Sequence, residues 1–157
     1  MATNSPEVWL RGPLPEVPAL LQPVTHALLR ARDEINELLK DFSQEKLWEK
    51  PAGVASVGFH LQHIVGVLDR LFTYAMGEQL SNKQLKYLSE EEMDSEAGLT
   101  VGNLLKRLND QVELTINRLK SIKEETLTEV LQFQPEISNG TEIEFDEIET
   151  RISIKKH

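Results

Sequence analysis

The chain contains no cysteine, which leaves its four histidines as the side chains best suited to both divalent-metal binding and proton transfer near neutral pH. They are His26, His60, His63 and His157. His60 and His63 stand three residues apart in SVGFHLQHIVGVLDRLF. On a helix that spacing sets two imidazoles roughly 60° apart and one turn along the axis. Such a pair can chelate one divalent ion, and the same spacing also serves capping bonds and buried packing, its commoner uses. His63 falls at the edge of the apolar face, in line with Ser56, Arg70 and Tyr74. His60 is expected to turn further inward, beside Ile64, Val67 and Leu71. His26, in line with Gln22, Arg30, Asp33 and Glu37, is expected to be exposed.

A catalytic zinc site needs three protein ligands. Neither H-x-x-x-H nor H-E-x-x-H occurs, so further ligands would have to come from His157 or from the carboxylates Glu142, Glu144, Asp146, Glu147 and Glu149. Asp69 and Arg70 are neighbours whose side chains point about 100° apart on a helix, which makes them poor partners for each other. Arg70 is expected to pair with an acid on a neighbouring helix, such as Asp110 or Glu113. No serine is marked as an activated nucleophile, and no glycine-rich phosphate loop or nucleotide fingerprint is present.

These residues need helices to position them, and three segments carry helical periodicity. The first is predicted from Pro18 to about Phe42, with Leu21, Val24, Leu28, Ala31, Ile35, Leu38 and Phe42 forming an apolar stripe. The connection 43–55 should bury Leu47 and Trp48 before Pro51 and Gly53 break it. Ser56 is the expected N-cap of the second helix, which stops at Gly77 and is apolar around most of its circumference. Only Gln62, Gly66, Asp69 and Thr73 form a solvent-facing strip there. Residues 78–99 read as a polar connection, and the acidic run Ser89–Glu96 as a solvated loop. Thr100 should cap a third helix, with Val101, Leu105, Leu108, Val112, Leu119 and Ile122 on one face. Beyond residue 123 the pattern changes. Asn139-Gly140 is a hairpin turn signal, and Thr141 to Ile154 alternates roughly between apolar and polar, so a β-hairpin is predicted there.

Three amphipathic helices leave a packing problem, because a bundle of this length usually has four. Either residues 124–157 or a second copy of the chain must cover the open face, so a homodimer is one expectation. At 157 residues the chain has the length of one domain: an extended arm over 1–16, a helical core over 17–123 and a divergent segment over 124–157. Seventeen Lys and Arg against 26 Asp and Glu give a net charge of -9, which disfavours nucleic acid as a partner. No stretch approaches the roughly 20 apolar residues of a membrane span, and the start lacks the pattern of a secretory signal. A cytoplasmic protein with no membrane partner is expected.

The segment from Ser56 to Arg70 resembles the DinB-like family of DNA-damage-inducible proteins and metal-dependent hydrolases. It does so together with the Pro-rich entry WLRGPLPEVPALLQPVTHALLRARDEI and the turn LWEKPAGVAS. The resemblance covers about residues 7–122. It implies an all-α, up-down helical bundle with a long crossover between the second and third helices. It also implies a divalent metal of the nickel or zinc type held by three histidines, one from the second helix and two from an H-x-x-x-H on the fourth. The family's second-helix histidine stands seven residues after the capping residue, which here is His63 after Ser56, with His60 as the second choice. Where relatives carry the fourth helix, this chain has QFQPEISNGTEIEFDEIETRISIKKH, without a histidine pair.

Three functions follow as expectations. The first is a DinB-like protein with a degenerate metal site and no catalysis. The second is a divalent-metal-dependent hydrolase or thiol transferase in which His63, assisted by His60 and the tail carboxylates, holds the ion. The third is a module that binds a small molecule or a partner helix between the second and third predicted helices.

Overall fold

A computed structural model describes residues 6–91 and 99–128. Its regular structure there is helical. Four α-helices, α1 (Gln22–Leu38), α2 (Val57–Ala75), α3 (Asn82–Glu90) and α4 (Val101–Ser121), are accompanied by short 3-10 turns before α1, between α1 and α2 and after α4. The hairpin predicted over 139–154 lies outside the described residues.

Capping chemistry places the helix starts where the sequence puts them. The Ser56 hydroxyl accepts from the Phe59 amide at 3.1 Å and opens α2. Thr100 and Asn103 form a reciprocal capping box on α4. Gly77, at φ 70, lies just past the end of α2. At α1 the boundaries differ from expectation. A 3-10 turn over Ala19–Leu21 precedes the helix, Pro23 sits in its first turn, and it ends at Leu38 rather than near Phe42.

α4 is the centre of the fold and packs along both α2 and α1. Its Leu104, Leu108, Val112 and Ile116 are buried in one cluster with Leu47 and Leu61, while Ile35, Phe42, Ile64 and Leu68 close around them half-buried. Leu47, from the connection after α1, is fully buried as expected. Trp48 beside it lies so close over Gly58 that a Cβ there would meet the indole at 2.5 Å. The Gln44 side chain pins the start of α4, donating to Leu99 O at 3.0 Å and accepting from Val101 N at 2.9 Å. Between α1 and α4, Asn36 and Asn109 exchange side-chain hydrogen bonds of 2.8 and 3.2 Å.

Three expectations are corrected here. The α1 face towards the core and α4 carries Leu28, Leu29, Arg32, Ile35 and Asn36, so the predicted stripe holds at Leu28, Ile35 and Phe42 but not at Val24, Ala31 and Leu38, which are exposed, Leu38 by 78%. The arm is not extended throughout, because Val8–Arg11 forms a 3-10 turn that buries Val8. His26 Nε2 reaches Gly12 O at 3.1 Å and ties this arm to α1, which leaves His26 half-buried rather than exposed.

The larger correction concerns residues 78–99. They include α3, opened by a capping box in which Ser81 and Gln84 bond reciprocally. α3 lies on the strip of α2 that was expected to face solvent. Gln84 Nε2 donates to Asp69 at 2.8 Å and to Thr73 Oγ1 at 2.7 Å, and Tyr87 donates its hydroxyl to Gln62 O at 3.0 Å. Gln62 and Gly66 are buried as a result. Gly66 is what permits this approach: a Cβ there would stand 2.5 Å from Arg70 Nη1 and 2.8 Å from Tyr87 Cε1.

Candidate functional site

Glu91, just past the end of α3, is the residue around which the polar chemistry of α2 gathers. It belongs to the acidic run read from sequence as solvated, yet it is only 2% exposed. Its Oε1 accepts from Arg70 Nη1 at 2.5 Å and its Oε2 lies 2.7 Å from His63 Nδ1. Gln62 Nε2 donates to the Glu91 carbonyl at 3.1 Å and holds the same turn in place. Arg70 therefore pairs with Glu91 and not with Asp110 or Glu113, which pair with Lys106 and Arg32 instead. Asp69 faces elsewhere, with Arg118 Nη1 at 3.2 Å from its other oxygen.

An ionised carboxylate only accepts hydrogen bonds, so the Glu91 contact fixes the proton of neutral His63 on Nδ1. The lone pair is then on Nε2. That is the arrangement in which a carboxylate orients a histidine for metal ligation or proton abstraction. Arg70, buried on the far side of Glu91, holds the carboxylate in place. His63 itself remains 42% exposed at its side chain and stacks on Phe59 at 5.2 Å between ring centroids.

His60 does not join it. It is exposed rather than turned inward, and its ring meets Phe59 edge-on at 5.5 Å. Phe59 thus touches both imidazoles, one on its face and one at its edge. His26 is committed to the arm, away from this cluster. Among the described residues no three His, Cys, Asp or Glu side chains converge in a group able to hold a metal ion. Those residues supply one oriented histidine nitrogen, which does not fit a three-ligand centre. Glu142, Glu144, Asp146, Glu147, Glu149 and His157 lie outside the described residues.

Glu91 and its helix are what sequence reasoning missed. The signal was present in Ser81-x-x-Gln84, a capping-box pattern, followed by Tyr87 and Glu91 at helical spacing on the same side. It was masked because the α2–α3 contact is made by amides, a phenol and a carboxylate, and apolar periodicity is blind to such a face.

No single helix among the described residues is long and apolar enough to cross a membrane. No curated protein and no solved structure matches the chain. A family model described as DinB superfamily matches residues 27–145, which takes in most of α1 and all of α2, α3 and α4. The helical architecture and the match over three-quarters of the sequence agree: the chain belongs to the DinB superfamily.

Proposed function

We propose that this protein is a non-catalytic member of the DinB superfamily with a degenerate metal site. One observation carries the reading: His63 Nδ1 is engaged by a buried carboxylate that also neutralises Arg70, while among the described residues no group of three possible ligands forms around it. The chain's four histidines include no H-x-x-x-H pair. A lone imidazole falls short of the three protein ligands of a catalytic zinc site. In this reading the Arg70–Glu91–His63 group has a structural role, fastening the crossover after α3 to the middle of α2.

Metal content of untagged full-length protein, with nickel and zinc titrations beside a His63→Ala variant, tests it. The expected result is metal near background and no His63-dependent binding. Near-stoichiometric nickel or zinc that disappears in His63→Ala would overturn the reading.

The orientation of His63 favours one alternative. With its proton held on Nδ1, Nε2 is free to ligate an ion if carboxylates such as Glu142 and Glu144 complete the set, as a divalent-metal-dependent hydrolase or thiol transferase would require. Under that alternative, changing Glu142 and Glu144 to Gln lowers metal affinity by orders of magnitude. Under the reading preferred here there is no such affinity to lower.

A further inference from the structure

A cleft of about 490 Å³ opens between α2, α3 and α4, on the side of α2 next to the His63 face. Its size falls within the range of about 300–1,000 Å³ typical of small-molecule sites. Its chemistry departs from that of the rest of the chain. On a protein of net charge -9, the lining contains Arg70, Lys83 and Arg118 against a single carboxylate, Asp69. Glu91 compensates Arg70, and Asp69 takes one nitrogen of Arg118. Lys83 forms no ion pair with any described residue, so its positive charge is left over in the cleft.

A second observation is independent of charge. Gln111, on the α4 wall, has its side-chain nitrogen buried without a hydrogen-bond partner among the described residues. Buried donors in folded proteins are nearly always paired, and because Gln111 lines the cleft, a rotation of its side chain would turn this donor to an acceptor arriving with a ligand. Val65 and Leu114 add apolar surface to the same walls, and Leu114 is exposed there.

We propose that this cleft binds a small organic anion, a carboxylate carried on an apolar stem. The carboxylate meets Lys83 and the uncommitted nitrogens of Arg118, Gln111 donates to it or to a neighbouring acceptor, and the stem lies against Leu114 and Val65. Binding of this kind needs no metal and does not depend on the state of His63.

The test is a titration of uniformly nitrogen-15-labelled full-length protein with octanoate in the presence of EDTA, followed by amide chemical shifts. Octylammonium serves as the control of opposite charge, and inorganic phosphate as the anion without a stem. Octanoate is expected to shift the amides of Gly66, Thr73, Gln111 and Leu114 saturably, and octylammonium to leave them in place. Lys83→Glu, at an exposed position that leaves the fold intact, should raise the octanoate Kd by at least about fivefold. Gln111→Leu should weaken octanoate while leaving the thermal midpoint equal or higher, because it removes an unpaired buried donor. Shifts that are absent or centred elsewhere, equal binding of octylammonium, or an unchanged Kd in Lys83→Glu would overturn the proposal. Phosphate binding more tightly than octanoate at these amides would remove the apolar stem from it.

Discussion

Substituting Glu91 by Gln would leave the Arg70 guanidinium buried without its counter-ion. Breaking a buried pair on one side typically costs about 3–5 kcal/mol, far more than the pair contributes against an apolar replacement. Glu91→Gln is therefore expected to destabilise the protein by about 3 kcal/mol in urea unfolding. The double change of Arg70→Met with Glu91→Leu should recover much of that loss. His63→Ala removes only the half-exposed end of the group and should cost within about 1 kcal/mol. If His63→Ala cost as much as Glu91→Gln, His63 would be a main support of the turn and not its rim. Of this group, His63 and Arg70 were legible in the sequence because they sit on a strongly periodic helix. Glu91 was not, since a carboxylate in a run of acids looks solvated until the arginine and histidine that enclose it are known.

At the scale of elements, α1, α2 and α4 follow from apolar spacing and from caps at Ser56 and Thr100. α3 follows from neither alone, for its nine residues are mostly polar and its contacts to α2 are hydrogen bonds. Such a helix depends heavily on its cap. Ser81→Ala removes the acceptor for Gln84 N and should cost about 1 kcal/mol. The loss should be local, with faster amide hydrogen exchange along Asn82–Glu90 and unchanged protection in the middle of α4. Equal loosening of α4 would mean that α3 and the core unfold as one unit. The departure of α1 from its predicted stripe has a related cause. Its heptad-spaced Val24, Ala31 and Leu38 look like a core stripe, but α4 is reached through Arg32 and Asn36, which bond to Glu113 and Asn109, while Thr25 bonds to the Leu21 carbonyl one turn back.

At the scale of the whole molecule, the exposed stripe of α1, the exposed Leu71 of α2 and Met76 just past its end are apolar surface without a cover among the described residues. A homodimer through these faces predicts that sedimentation velocity finds a species of twice the 17.9 kDa chain mass, converted to monomer by Leu38→Asp with Leu71→Asp. A monomeric wild-type chain at all concentrations would remove the dimer. Leucine stripes alone are poor at choosing among such assemblies, or even among alignments of one helix on another, because each turn of leucines is much like the next. The exchanged amides of Asn36 and Asn109 are not interchangeable in that way. Sliding α1 by one turn along α4 would break both of the exchanged bonds, so the pair works as a notch that favours a single register. Fidelity of alignment, rather than strength of attachment, is what those two asparagines contribute to the protein.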